Sequence, residues 1–407
     1  MRLFESTSVL VGTVLPLITA FPTSRPRENQ IIPDKYVVTF KSGVSKADIE
    51  AHTSWVSSVQ ARNVAKGFTT AEAPGVENTF NINTFNAYSG SFDRETIREI
   101  KTHPNVAYVE PDRTVYVADL VEQMNATYGP RRLSHRSLPL PDNSYFYDSK
   151  AGEGSYVYIM DTGINKAHID FEGRAIAGVN LQQGVAFDDT VGHGTHCAGI
   201  AVAKTYGVAK KAVAVDVKVF KSTSGPWSFL LNGLDWSVKN ITGENRLSRS
   251  SVSISISGAT YQPMNDAIKA AVDGGVVVVA AAGNDGREAG RNSPGNAPGA
   301  ICVGSINSRN AMDTRSRFSN FGTVVSIWAP GEGIISCAKA SRDGTANMSG
   351  TSMATPHVAG TIAYLQSLFD LRNPAAAARK LYELATPNIV KDVGASNNRL
   401  AYNGSGK

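Results

Sequence analysis

Apolar residues fall along this chain in three rhythms. The first is a short unbroken run from Val9 to Ile18, behind Met1 and Arg2 and closing on Ile18-Thr19-Ala20. A charged start, a brief apolar middle and a small residue at the end predict an export signal over residues 1–20. A structureless terminus is the competing reading, and Glu5 is its one support. The run falls short of the ~20 apolar residues that a membrane span needs, as does every later segment.

The second rhythm is mixed and covers about residues 33–119. Residues 36–40 read as a strand. Residues 45–59 read as a helix, with Ser45 as N-cap and Ile49, Trp55 and Val56 among its apolar positions. Two strands follow, near 79–85 and 87–92. Asp93 caps a second helix through Ile97 and Ile100 that stops before Pro104, and 106–110 closes the unit as a strand. This β-α-β-β-α-β order predicts a small ferredoxin-like α+β domain. His52 and His103 are expected on its surface.

From about residue 145 the third rhythm takes over. Apolar, β-branched runs at 156–160, 213–220, 252–256, 276–280 and 300–303 are separated by helical stretches at 194–203, 228–239 and 265–273. Strands apolar on both faces and joined through helices predict an α/β unit, a parallel sheet with helices on both faces. In such sheets a site lies at the carboxyl ends of the strands.

Composition narrows the class. The 407 residues are 42% hydrophobic and 18% charged, which excludes a disordered chain. Three cysteines exclude a disulfide-dense scaffold and a multi-zinc array. Net charge is +5, with no long Lys/Arg run to concentrate it, so a nucleic-acid partner is not expected. Residues 1–120 carry a net −1 and the remainder +6, an imbalance of the sign that lets the two parts attract.

The chemistry sits in three glycine-flanked segments. Asp161 ends the first strand of the large unit, in Met160-Asp161-Thr162-Gly163. His193 opens a helix in Gly192-His193-Gly194-Thr195-His196. Ser352 opens another, in Ser349-Gly350-Thr351-Ser352-Met353-Ala354-Thr355-Pro356-His357, with Pro356 expected in its first turn. A serine hydroxyl becomes a nucleophile when imidazole takes its proton and a buried carboxylate orients the ring. Asn284, after Ala281-Ala282-Gly283 at a strand end, supplies an amide for the oxyanion. Losing one such donor costs about 3 kcal/mol of transition-state stabilisation. Activity is expected to rise as His193 loses its proton, near about pH 6–7. The order Asp161, His193, Ser352 separates this chain from the two other great triad classes. The segment around Ser352 also lacks the second glycine of a nucleophile elbow.

These three motifs resemble the subtilisin-like serine proteases, most closely the proteinase-K type secreted by filamentous fungi. The likeness runs over about 145–360, and more weakly to 402. It implies Ser352 as nucleophile, His193 as general base, Asp161 as orienting carboxylate, and an oxyanion hole of Asn284 with the Ser352 backbone N–H. It implies that the small domain is an inhibitor propeptide over 21–120, closing on Tyr108-Val109-Glu110-Pro111-Asp112, and that 121–407 is the peptidase. The propeptide would assist folding, block the site and be cut off near Leu120-Val121. Substrate would add as a strand between Ser255-Ile256-Ser257-Gly258 and the stretch near Ser224-Gly225. An S1 pocket would lie between that first segment and Ala281, Ala282 and Gly283, suited to apolar or aromatic P1 groups. Trp227 would rim S4, with a place in the core as its alternative. The expected partners are protein and peptide substrates and the chain's own propeptide. The expected product is a secreted, extracellular monomer that needs no cofactor for its chemistry.

Departures from the family pattern adjust these expectations. Ser257 adds a side chain at the S1 wall, Lys221 stands where an acidic residue is common, and Val191 replaces an Asn. Ser326 replaces an Asp that helps hold calcium in proteinase K, so that structural calcium is expected to be weak or absent, with Asp392 as an alternative ligand. Asn125, Asn240 and Asn403 are glycan candidates in Asn-x-Ser/Thr sequons, whereas Asn347 is expected bare. Cys197 is expected as a buried free thiol beside His193. Cys302 and Cys337 are left as two free thiols or one bridge. The competing functional class is a catalytically dead relative serving as a binding protein. Such relatives lose the triad, the oxyanion donor or the propeptide, and all three are intact here.

Overall fold

The computed structural model describes residues 31–66, 75–113, 120–307 and 312–407. The expected export signal and the expected start of the propeptide lie outside the described residues. The chain divides into two compact units, Met1–Val117 and Ala118–Lys407.

The first unit runs β1 (Ile31–Phe40), α1 (Lys46–Ala65), β2 (Gly75–Ile82), β3 (Phe85–Ser91), α2 (Arg94–Thr102) and β4 (Val106–Arg113). The strands form an antiparallel sheet of order β2-β3-β1-β4, the ferredoxin-like arrangement. Both expected caps are made. Ser45 Oγ accepts from Asp48 N at 3.1 Å, and Asp93 Oδ1 accepts from Glu95 N and Thr96 N at 2.8 and 2.9 Å. α1 outruns its expected end because Gln60, Ala61 and Arg62 are all good helix formers.

His52 corrects the sequence reading. It is 1% exposed, not on the surface. Its position shares a helical stripe with Ile49, Val56 and Val59, so periodicity turns it inward against the sheet. Its Nε2 bonds the Tyr88 hydroxyl at 3.0 Å, and its ring meets His103 edge-on at 4.2 Å. Burial, helped by His103, pushes its pKa down to about 4.

In the second unit, β5 (Leu120–Gln123), α3 (Tyr128–Leu133) and β6 (Tyr145–Asp148) come first. Then follow β7 (Tyr156–Asp161), β8 (Ala175–Asn180), α4 (His193–Val202), β9 (Val213–Lys218), α5 (Trp227–Gly243) and β10 (Ser250–Ile254). Next are β11 (Gly258–Ala259), α6 (Gln262–Asp273), β12 (Val277–Ala281), β13 (Asn292–Ser293), β14 (Ile301–Asn307), β15 (Thr314–Arg315) and β16 (Ile327–Pro330). The remainder is β17 (Ile334–Cys337), β18 (Thr345–Met348), α7 (Thr351–Leu368), α8 (Pro374–Leu384), β19 (Thr386–Pro387) and β20 (Arg399–Leu400).

The main sheet has the order β19-β20-β16-β14-β12-β10-β7-β9-β8 and is parallel except for β19 at its edge and β15 beside β14. Both faces are buried, as the unbroken apolar runs require. Val157, Ile159, Val277 and Val279 pack with α4, α7 and α8 on one face. Tyr158, Met160, Val276 and Val278 pack with α5 and α6 on the other. Strand order reverses between β7 and β10, so their carboxyl ends border a crevice. Asp161 ends β7 there, and Ser255 follows β10.

Strand ends differ from expectation where backbone N–H groups find other partners. β9 stops at Lys218: Val219 N makes the last ladder bond to the Asp161 carbonyl at 2.8 Å, and Phe220 N shares that acceptor at 3.3 Å instead of advancing along β7. Pro356 lies in the second turn of α7, not the first, because that helix already begins at Thr351. Cys197, Cys302 and Cys337 are all buried free thiols. Burial pushes the Cys302 thiol up to about 12. No helix among the described residues is long and apolar enough to cross a membrane.

Two imidazoles are buried in the helices of one face. His196 Nε2 donates to Ile334 O and Ala346 O at 3.1 and 3.0 Å, joining α4 to β17 and β18. His357 Nδ1 donates to Met353 O at 2.8 Å. Burial lowers both pKa values to about 4. The unfolded chain takes these protons near pH 6.5, so between 6.5 and 4 it binds more protons than the folded one. Stability is therefore full above pH 6.5 and is lost as pH falls toward 4, by about 2 kcal/mol per imidazole at pH 5. Urea midpoints of a Ser352→Ala precursor at pH 7 and pH 5 check this. A lower midpoint at pH 5 is expected, and an unchanged one would contradict the linkage.

Candidate active site

The site assembles from the start of α7. Pro356 carries no N–H, so the Ser352 carbonyl one turn earlier loses its partner within the helix. Two side chains from other elements replace it. Ser255 Oγ donates to Ser352 O at 2.8 Å and Cys197 Sγ donates to it at 3.4 Å. In return the Ser352 hydroxyl donates to the Ser255 carbonyl at 2.9 Å. Ser255 thus holds Ser352 by backbone and side chain together.

Asn284 Oδ1 accepts from Thr351 N at 2.8 Å and from Thr351 Oγ1 at 2.9 Å. A backbone N–H can only donate, so this fixes the amide with its Nδ2 facing away from Thr351. A Cβ built on Gly350 would lie 3.5 Å from Ser352 N, 3.6 Å from Asn284 Nδ2 and 3.7 Å from Ser352 Cβ. Two N–H donors therefore converge on one small space beside the serine.

His193 Nδ1 lies 2.8 and 2.9 Å from the two oxygens of Asp161. Asp161 is 1% exposed, whereas the His193 side chain is 28% exposed. The carboxylate also accepts from Thr162 N at 2.7 Å. Gly194 brings α4 against β7 closely enough that a Cβ there would meet Gly163 O at 2.2 Å. Burial opposes charge on the His193 ring, but the Asp161 carboxylate overrides it and raises the imidazole well above its ordinary value. Cys197 Sγ lies 3.9 Å from His193 Nδ1 and also touches Ser352 O, so one sulfur borders both residues. Its thiol is pushed up by burial, which suits a small packing group rather than a second nucleophile.

The expected substrate segments lie around this centre. Ser255 is buried, Ile256 and Gly258 are half-buried, and Ser257 is exposed. Ala281, Ala282 and Gly283 are buried at the carboxyl end of β12, and Gly283 N reaches Thr351 Oγ1 at 3.3 Å. Trp227 is half-buried, stacks on Tyr261 at 5.4 Å and lies over Gly258, where a Cβ would come within 2.9 Å of its ring.

Comparison with known proteins matches this geometry to a family. Residues 152–402 fit the model of the subtilase family, and residues 35–118 fit that of peptidase inhibitor I9. The chain belongs to the subtilase family. It is 73% identical to a subtilisin-like protease of Coccidioides posadasii, over the full length of both chains. It is 46% identical to subtilisin-like protease 2 of Arthroderma otae, over 93% of this chain and 91% of that one. A cold adapted subtilisin-like serine proteinase of known crystal structure matches with a TM-score of 0.62 and 37% identity, covering 69% of this chain and 98% of that one. The chain is therefore a subtilisin-like serine protease with an inhibitor-type propeptide.

Elsewhere on this subtilase the sequons separate. Asn125 is exposed. Asn240 is half-buried and accepts from the Tyr158 hydroxyl at 2.7 Å. Asn403 is 1% exposed and its Nδ2 donates to Phe146 O at 2.7 Å, so this fold leaves it no room for a glycan. Asn347, expected bare because it lies on the approach to Ser352, is exposed on β18. Ser326 Oγ accepts from Cys302 N at 3.2 Å and donates to Val324 O at 3.5 Å. A hydroxyl committed to backbone does not fit a calcium ligand. The cluster of His, Cys and acidic side chains near enough to share an ion, among the described residues, is Asp161, His193 and Cys197, which the site itself uses.

Sequence reasoning passed over Asp189, Thr162, Thr195 and Lys218, which lie beneath Asp161 and His193. The signal for Asp189 was a carboxylate three residues before Gly192, an N-cap position with no side chain to accept from the first-turn N–H groups. For Asn284, truncation to Ala should lower kcat about 10²–10³-fold and leave KM little changed, because the oxyanion exists only beyond the ground state. Steady-state kinetics on a peptide anilide check this, and a kcat within threefold of wild type would remove Asn284 from the chemistry.

Proposed function

We propose that the protease is an exported endopeptidase, made as a zymogen, that cleaves peptide bonds through an acyl-enzyme on Ser352. The observation that carries this is the convergence of Ser352 N and Asn284 Nδ2 on one space beside a serine whose neighbourhood includes a carboxylate-bound imidazole. His193 takes the hydroxyl proton as Ser352 Oγ attacks the scissile carbonyl, and Asp161 stabilises the imidazolium. The carbonyl oxygen becomes an oxyanion held by the two N–H donors. His193 then gives its proton to the leaving amine, and water repeats the sequence to release the acyl group. In the unliganded site the Ser352 hydroxyl donates to Ser255, so its bond to His193 forms as substrate arrives.

The substrate-facing segments carry small, neutral side chains, which favours apolar or aromatic P1 groups in a pocket between 255–258 and 281–283. Substrate runs as a strand beside Ser255–Gly258, with Trp227 as a P4 platform over Gly258. The I9-type first unit acts as intramolecular inhibitor until it is cut away. The cut falls near Leu120-Val121, the first two residues of β5, which pair with Asp148 and Tyr147 of β6. Asn125 is the preferred glycan position, and calcium does not bind at Ser326.

Ser352→Ala should abolish both proteolysis and precursor maturation, whereas wild type should yield a mature N-terminus within residues 117–124. Mass spectrometry of the secreted forms reads both. Complete self-processing by the alanine variant in a protease-free preparation would defeat the assignment, and an N-terminus inside residues 36–110 would defeat the domain boundary.

A further inference from the structure

The Asp161–His193 bond joins two elements that no covalent link keeps in register: the end of β7 and the start of α4. His193 is the first residue of α4, and the N-cap residue Gly192 has no side chain with which to satisfy the orphan N–H groups of the first turn. Those groups are satisfied from outside the helix. Gly194 N donates to Thr162 Oγ1 at 3.0 Å and Thr195 N donates to Asp189 Oδ2 at 2.9 Å. Thr162 directly follows Asp161, and its hydroxyl donates to Asp189 Oδ1 at 2.9 Å.

One buried carboxylate therefore grips both sides of the bond. Asp189 is 6% exposed and accepts five donors: the Thr162 hydroxyl, Val191 N at 2.9 Å, Gly192 N at 2.8 Å, Thr195 N, and the Thr195 hydroxyl at 2.6 Å. Burial alone would raise its pKa, but the Thr195 hydroxyl and the backbone N–H groups hold it below the usual range, so it stays ionised. Its charge also faces the positive end of the α4 dipole. The buried Lys218 ammonium lies beneath, donating to Thr162 O, to Phe220 O at 3.1 Å and to Thr190 Oγ1 at 3.3 Å.

We propose that Asp189 is a positioning residue of this protease, the pin that keeps His193 aligned on Asp161 by holding Thr162 and the first turn of α4 to one carboxylate. This rests on the roles given above to Asp161, His193 and Ser352. Asp189 is buried and acts through its bonds to Thr162 and Thr195. Its effect is on the register of the base, where a displacement of about 1 Å is enough to cost about 10²-fold in rate.

Two sets of variants test it. Asp189→Asn keeps the shape but puts an NH2 group among five donors. It should lower kcat about 10²-fold per titrated active site with KM within about threefold. Thr162→Val removes the hydroxyl bridge at constant volume and should lower kcat about tenfold, because a hydrogen bond to a buried charge is lost. Thr162→Ser keeps the hydroxyl and should restore kcat to within about threefold of wild type. A purely structural role would lower the melting temperature of these variants and leave kcat per titrated site unchanged, and that result overturns the proposal. If Asp189→Asn does not fold, the Thr162 pair decides alone: equal kcat for Val and Ser overturns the proposal. Fluorophosphonate labelling of Ser352 in wild type separates the two levels. An unlabelled Ser352 would sink the triad assignment, whereas labelled wild type with kcat unaltered in the variants sinks only the role of Asp189.

Discussion

A carboxylate buried at the carboxyl end of a parallel strand is the constraint around which this site is organised. Asp161 is almost inaccessible to water, and a charge taken out of water must find partners within the fold. The partners here are its neighbour's N–H and the imidazole of His193. The ring must therefore sit at hydrogen-bond distance, and its helix must start against β7. The close approach of Gly194 to Gly163, the bridging Thr162 hydroxyl and the five-donor Asp189 all follow from that requirement. The chemical return is an imidazole whose proton affinity is raised by a carboxylate that stays dry.

A second constraint comes from the opposite direction. Pro356 removes one N–H from α7, and the carbonyl left behind belongs to Ser352. Ser255 and Cys197 satisfy it, which ties the helix of Ser352 to the end of β10 and to α4 at once. Cys197 is thus placed by packing and by a weak S–H bond, and burial pushes its thiol up. Asn284 satisfies the next orphan group, the Thr351 N–H, with its oxygen, and so its amide nitrogen is left to face outward. A single helix start with a proline in its second turn therefore generates the anchoring of Ser352 and the orientation of the Asn284 amide.

Much of this was legible in the chain, for physical reasons. Strands covered on both faces must be apolar throughout, so the parallel sheet announced itself as runs of Val, Ile and Ala. Asp161, His193 and Ser352 each carry their supporting glycines beside them, so motif and geometry coincide. Features that depend on where a backbone group finds its partner were not legible. β9 ends early because Phe220 N shares the Asp161 carbonyl with Val219 N. His52 lay on the inward stripe of its helix, but its residue type argued for the surface, and the Tyr88 hydroxyl and His103 ring that reconcile it with burial come from other elements. Asn403 carried a valid sequon, yet its amide is used by Phe146, 257 residues away. Asp189 stands four residues before His193, but its bond to Thr162 exists only once β7 and α4 meet.

The claim at the centre is that the dry Asp161 carboxylate raises the basicity of His193. The acid limb of kcat/KM reads the free enzyme's base directly, with one proton lost for activity to appear. A histidine with a raised pKa is neutral, and so active as a base, only above that raised value. The midpoint of the limb in the mature wild-type protease should therefore lie above the ordinary imidazole value of about 6.5. A one-proton limb centred at or below 6.5 would contradict the account.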